Sequence, residues 1–410
     1  MNVESRRTSR LDAWLRTPRA LAIAIVAAAL ATGCAQQAAR NDAAAMASPA
    51  SPWAAPTSTV RWNDYACDLI ARNQVGQFPA LRTLAYTNLA INNAIVVARA
   101  KGLRPEGAAS GAAATMLMFF FPKDEQVIAA RLSGETAALG ATGYRGDFSA
   151  GVEVGRATAA DVVAWAKADR AAVAWTGTLP SDGALWSSRS QPAAPPLGPQ
   201  LGAMRPFFLA TAGEIRAAPP PALSSPEFKA TLAEVRTISD GRTYEQVRIA
   251  QYWENLNGSF GAGAWNQVAR DAISAHGLGE ADSARVLALV HMAGFDANLA
   301  SHESKYVYWV PRPTQVDPEI RLAIGVPNHP SYPSNHAIIS GSVGRVLDAQ
   351  FPDMHGRYYV MAREAGESRI YGGIHYRIDL DEGFRMADKL AQRVLEVGLP
   401  ADRPFVPRGQ

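Results

Sequence analysis

Cysteine is nearly absent from this chain. There are two in 410 residues, Cys34 and Cys67. If Cys34 is modified, no disulfide can form within the chain, and stability has to come from a packed core. Charge is sparse too, at 19% of residues against 48% apolar, which excludes a solvated tail and favours tightly packed helices. An excess of one sign is missing from most of the chain. The formal charge of +3 is carried by the first 33 residues, where Arg6, Arg7, Arg10, Arg16 and Arg19 face only Glu4 and Asp12. The remainder keeps 35 of the 40 basic and 35 of the 37 acidic residues, so there is no electrostatic argument for nucleic acid. Long apolar runs are lacking. Ala20 to Ala31 is short of the roughly 20 residues that a helical span needs, and Met116 to Phe121 is only a patch. Alternating strand patterns are rare, so the fold class is mainly α.

What is present begins with an export signal. A positive region, the apolar run and then Thr32-Gly33-Cys34 place a signal peptide at residues 1–33. Small residues ahead of Cys34 resemble a lipobox, which predicts a lipid on Cys34 and an exported protein, periplasmic or anchored to the membrane as a lipoprotein. Residues 34–60, rich in Ala, Ser, Pro and Gln, read as a tether. Beyond Trp62 apolar residues recur at spacings of three and four, over Arg82 to Ala100 and Gly151 to Ala168, then Phe228 to Ile238, Tyr244 to Trp253, Trp265 to Ala275 and Ala281 to about Trp309. Leu179 to Pro226 is heavy in Pro, Gly and Ser and reads as an ordered crossover. Ala85, Asn88, Ala90, Asn93 and Ala94 share their spacing with Ala288, His291, Ala293, Asp296 and Ala297. That is either coincidence in an Ala-rich chain or a duplication pairing two helical bundles, at 61–240 and 241–400.

Three blocks near the C-terminus carry chemistry. They are Lys305-(six residues)-Arg312-Pro313, then Pro333-Ser334-Asn335-His336, then Ser368-Arg369-(five residues)-His375-(three residues)-Asp379. A tetrahedral oxyanion carries two or three negative charges, and holding it away from water requires several cationic donors. Arg312 and Arg369 can each give two parallel hydrogen bonds, and Lys305 adds a point charge. Ser334 offers a hydroxyl. A helix beginning after His336, from Ala337, would aim its N-terminus at the anion. Of two histidines, one can bond to the central atom and the other can move a proton. Asp379, four residues after His375, can accept the proton on the far ring nitrogen and fix its tautomer.

These blocks resemble the signature of the type 2 phosphatidic acid phosphatase and vanadium haloperoxidase superfamily: K-x6-R-P, then P-S-G-H, then S-R-x5-H-x3-D. Asn335 stands where that pattern has Gly, and all other positions agree. A looser likeness to the soluble, exported bacterial haloperoxidase branch runs from about Arg82 to Gly383. The resemblance implies an all-α fold of two packed helical bundles. It implies that Lys305, Arg312, Ser334 and Arg369 hold the oxyanion with the backbone N–H of Asn335. His375 would be the residue that ligates vanadate or takes up phosphate, His336 the acid–base and Asp379 the orienting group. His329, seven residues before His336, corresponds to the halide side of the haloperoxidase pocket, where bromoperoxidases carry His and chloroperoxidases Phe. The implied function is a vanadium-dependent haloperoxidase acting on halide and peroxide. The alternatives are a phosphatase taking phosphate monoesters through a phosphohistidine and, because of Asn335, a non-catalytic lipoprotein that binds an anion or a partner.

Overall fold

The computed structural model describes residues 56–140, 145–188, 193–255 and 262–409. The signal peptide, Cys34 and most of the expected tether lie outside these residues. The first helix, α1 (Ser58–Arg72), begins inside the last part of that tether. Its start is fixed by two features that composition conceals. Thr57 caps the N-terminus through its hydroxyl, and the buried Glu280 accepts hydrogen bonds from the N–H groups of Ser58 and Thr59 at 2.8 and 2.7 Å. Long helices follow: α2 (Gln77–Ala100), α3 (Pro105–Phe120), α4 (Glu125–Gly140) and α5 (Arg145–Ala168). After the irregular crossover come α6 (Pro226–Gly241), α7 (Tyr244–Asn255), α8 (Ala262–Ala275) and α9 (Glu280–Tyr308). The last three are α10 (Asn335–Gln350), α11 (Arg357–Tyr371) and α12 (Arg377–Val397). No strand occurs among the described residues, so the fold is all-α, as the sparse strand patterns suggest. Among the described residues no helix is long and apolar enough to cross a membrane.

Helix α9 is the axis of the molecule. It is buried on every face from Val286 to His302, which is the mark of a core helix. It packs against both α2 and α10, which meet it together at Gly294. Helices α3 and α5 touch backbone to backbone. A Cβ on Gly107 would stand 2.2 Å from the carbonyl oxygen of Phe148, and one on Gly111 the same distance from that of Val152. Only glycine permits this approach.

The spacing shared by α2 and α9 extends to their neighbours. Shifting by 203 residues takes Gln77 to Glu280, so both helices start at equivalent positions, each after a glycine (Gly76 and Gly279). The same shift takes Trp62-Asn63 of α1 to Trp265-Asn266 of α8. Asn88 donates to Asn63 Oδ1 at 2.9 Å, and His291 Nε2 bonds Asn266 Oδ1 at 2.8 Å. The turns between helices also match, with Val75 N–H on Ile70 O and Leu278 N–H on Ile273 O. Asn93 clamps the backbone of Phe405, while Asp296 accepts from the N–H groups of Phe207 and Phe208. Equivalent residues doing equivalent structural work at one constant offset favour duplication over coincidence.

Candidate active site

The three sequence blocks converge at the C-terminal end of α9. Lys305 comes from the last turn of α9, and Arg312 and His329 from the loop that follows. Ser334, Asn335 and His336 form the start of α10, and Arg369 lies near the end of α11. The chain then turns through Gly373, whose φ of 79° is one that L side chains rarely adopt, and delivers His375. Asp379 sits in the first turn of α12. Helix α10 starts at Asn335, two residues earlier than expected, because Ser334 acts as its N-cap. The Ser334 hydroxyl accepts from Ala337 N–H, so it is engaged by the helix.

His375 is fixed in one tautomer. Its Nδ1 donates to Asp379 Oδ2 at 2.7 Å, and the same oxygen accepts from the Ser331 hydroxyl at 2.5 Å and from Tyr376 N–H at 3.1 Å. Nε2 therefore carries the lone pair, which accepts from Arg312 Nη1 at 3.0 Å. Arg312 is fully buried and also donates to the carbonyls of His329 and Ile374. Its Nη2 lies 3.0 Å from His329 Nδ1, which is also 3.0 Å from Pro330 O, so the guanidinium and the carbonyl ask for opposite tautomers of His329. Arg369 donates to the Ser368 hydroxyl and to Ala250 O, and keeps the hydrogens of Nη1 unspent. His336 places Nε2 3.1 Å from Trp253 O, so Nε2 carries the hydrogen and Nδ1 is the acceptor. The ammonium of Lys305 gives its three hydrogens to the carbonyls of Pro330, Ser331 and Pro333. It supplies charge to the site from behind the loop.

These residues surround a cavity of about 330 Å³. His329, Asn335, His336, Arg369 and His375 line its polar end. Phe78 of α2, Leu197 of the crossover, Val326 and Ile374 line the rest, with Gln77 and Glu254 as further polar groups. The wall is thus drawn from both the early and the late part of the chain.

The electrostatics are those of a site with too much positive charge. Lys305, Arg312 and Arg369 are buried together with Asp379. Burial first, then Arg312, push Lys305 well below the usual ammonium range, with Asp379 opposing. Burial likewise brings Arg312 down to about 10, although Asp379 opposes it, and Arg369 down to about 9. His329, His336 and His375 are all lowered, again by burial and then by the cations around them. Buried charge of one sign requires a counter-charge. Unspent donors on Arg369, the lone pair of His375 and free N–H groups at the start of α10 suit a tetrahedral oxyanion. Among the described residues no group of three or more His, Cys, Asp or Glu side chains is placed to hold a metal cation.

Several site residues escape the sequence reading. Ser331 binds Asp379 beside His375 and falls in no motif block. Ser301 and His302 lie one turn before Lys305 on the same face of α9, and that spacing alone would have found them. Ser301 donates to Asn335 Oδ1. His302 is fully buried, gives Nδ1–H to Asn298 O, and packs edge-on against Phe78 and His329 at 4.5 and 5.4 Å between ring centres.

No protein-family model and no curated protein matches the sequence. Solved structures do. A bacterial vanadium-dependent iodoperoxidase superposes with a TM-score of 0.71 at 22% identity, over 82% of this chain and 95% of that one. Two structures of bacterial vanadium-dependent chloroperoxidase, apo and holo, give TM-scores of 0.61 and 0.59 at 14% and 16% identity. They cover 77% of this chain in each case, and 93% and 91% of their own. The chain has the fold of the bacterial vanadium haloperoxidases, in agreement with the superfamily its motif blocks resemble.

Proposed function

We propose that this protein is a vanadium-dependent haloperoxidase that binds vanadate through His375 and oxidises a halide with hydrogen peroxide. The observation that carries this reading is the cavity itself. A neutral histidine with a directed lone pair sits among buried guanidinium groups that have donors to spare, in a fold shared with bacterial vanadium-dependent peroxidases. Vanadate, when bound, supplies a Lewis-acidic centre that activates peroxide toward attack by halide. Everything else falls to the chain. Arg369, part of Arg312 and the N–H groups at the start of α10 hold the equatorial oxygens, and Lys305 adds field without contact. Asp379 keeps the proton of His375 on Nδ1. His336, neutral and with Nδ1 as acceptor, takes a proton from peroxide as it binds. His329 lines the cavity on the side proposed for halide.

Phosphate-ester hydrolysis is the second reading, because phosphate fits the same donors and His375 Nε2 is a competent nucleophile. That reaction asks His336 to arrive protonated and give its proton to the leaving alcohol. Burial and then the surrounding cations work against this, which favours the first reading. The signal-like N-terminus adds export to the proposal, with the reaction taking place outside the cytoplasm; cell fractionation checks that part.

Two assays run side by side test the assignment. Halogenation of a dye with peroxide is measured with iodide, bromide and chloride, with and without added vanadate, and hydrolysis of a chromogenic phosphate ester is measured in parallel. His375→Ala serves as control. Vanadate-dependent halogenation lost in His375→Ala is expected. Ester hydrolysis without halogenation would replace the first reading with the second. Anion binding with neither activity would leave the non-catalytic reading.

A further inference from the structure

Residue 335 is where this chain departs from the pattern it resembles, and the departure lies inside the cavity. Asn335 is the first residue of α10 and is 5% exposed. It lines the cavity beside His336, Arg369 and His375. Glycine at that position would present only a backbone N–H. Here a planar amide must also be accommodated, and its orientation is controlled. The Ser301 hydroxyl, on the neighbouring helix α9, donates to Asn335 Oδ1. Because the amide is planar, fixing Oδ1 fixes Nδ2, and Nδ2 makes no hydrogen bond to any described side chain or carbonyl.

The direction of this amide is informative. Facing guanidinium groups alone, an amide would turn its oxygen toward them. Ser301 holds the oxygen on the α9 side, which leaves the two N–H groups as the end available to the cavity. A buried amide donor needs an acceptor. The surrounding charge calls for one that is negative. One donor expected for the anion is committed elsewhere: Lys305 gives its hydrogens to three carbonyls, while the Ser334 oxygen accepts from its helix and keeps its hydroxyl hydrogen. A side-chain amide at 335 adds a donor at a site where the lysine is spent.

Resting on the reading of this cavity as an oxyanion site, we propose that the Asn335 side-chain amide is itself a ligand of the bound phosphate or vanadate. Nδ2 donates to one of its oxygens, and Ser301 is the positioning residue that aims it. The chain thereby replaces a backbone-only contact with a two-residue, side-chain one.

Calorimetric titration of the full chain with inorganic phosphate, and separately with micromolar orthovanadate, tests this without recourse to activity. A hydrogen bond to a charged acceptor predicts that Asn335→Ala weakens anion binding roughly ten- to hundredfold. Ser301→Ala weakens it less, and Ser301→Thr, which keeps the hydroxyl, restores it. The Ser301→Ala, Asn335→Ala double variant binds no more weakly than Asn335→Ala alone, because Ser301 acts through Asn335. Circular dichroism checks folding; if Asn335→Ala fails to fold, Asn335→Gly takes its place. Binding by Asn335→Ala or Asn335→Gly as tight as wild type, or tighter, overturns the proposal while the anion site stands. Additive losses in the double variant overturn the role of Ser301. A wild-type chain that binds neither anion removes the site reading, and this proposal with it.

Discussion

Asp379→Asn separates orientation from binding. Asp379 Oδ2 accepts three hydrogen bonds, from His375 Nδ1, Ser331 and Tyr376, while Oδ1 has no hydrogen-bond partner. If the amide oxygen of the variant takes the place of Oδ2, three charge-assisted bonds become neutral ones. Each weakens by about 1 kcal/mol, about 3 kcal/mol together, or roughly two decades of rate if all of it is felt in the transition state. If the amide NH2 takes that place, it donates to Nδ1 and the ring proton moves to Nε2. That nitrogen then meets the Arg312 donor at 3.0 Å without a lone pair, and its bond to the anion cannot form. Loss of the correct tautomer in a comparable aspartate–histidine pair costs about four decades. The expected fall in kcat is therefore between roughly 100- and 10,000-fold.

Affinity for inorganic phosphate should move the other way. Removing a buried carboxylate leaves the pocket more positive, so phosphate binding holds or tightens. The assay is kcat for whichever reaction the wild type performs, with phosphate affinity measured by calorimetry on the same preparation. A kcat within threefold of wild type would refute the orienting role. A parallel loss of kcat and phosphate affinity would mean that the variant had collapsed the pocket, and the reasoning from tautomers would fail.

Other consequences follow from the buried charge. Phosphate or vanadate at about a hundred times its dissociation constant should stabilise the fold by about 2.7 kcal/mol, a rise of about 4 °C in Tm for a unit of this size, with chloride at equal ionic strength as the null control. Stability should fall as the pH drops below about 6.5. His291 and His302 are held down to about 3 by burial, and His329, His336 and His375 are lowered too, so the unfolded chain takes up protons that the native one refuses. Asp296, raised to about 7 by burial, and Asp379, raised likewise, oppose this over the same window. Counting these five histidines against these two aspartates, the ceiling is about 4 kcal/mol per pH unit, and His276, Glu280 and Asp381, each raised, lower it further; urea midpoints that agree at pH 7 and pH 5 would contradict it. Gly373→Ala, forced to a φ of 79° with the Arg321 carbonyl 3.2 Å from its new Cβ, should lose about 1–2 kcal/mol in a urea melt and at least tenfold in activity, because the turn carries His375.

Much of this architecture is legible in the sequence because helices advertise themselves by spacing. The ends are less so. Helix α2 starts at Gln77, five residues before its apolar pattern becomes clear, because a helix buried on most faces loses its polar stripe. Helix α10 starts early because Ser334 serves as cap rather than as a residue of the preceding turn. The motif blocks name the residues that meet around His375, but not how each is used. That Lys305 is spent on the 330–333 loop, or that His336 meets the carbonyl of Trp253, depends on contacts between distant segments. Phe78, Leu197 and Glu254 reach the cavity from helices and loops with no motif to mark them.

The constant offset between the two helix pairs explains why the site lies where it does. Helices α2 and α9 begin at equivalent positions, but α2 stops at Ala100 and is followed by Gly102 at a φ of 68°. The equivalent of Gly102 is Lys305, where α9 is still helical and runs on to Tyr308. The extra turn carries Lys305 under the 330–333 loop and starts the segment that presents Arg312 to His375. In the first copy the chain turns away into α3 and its glycine-mediated contact with α5. The second helix pair thus carries the charged and histidine-bearing segments while the first adds Gln77 and Phe78 to the cavity wall, and the difference begins with a helix that did not end.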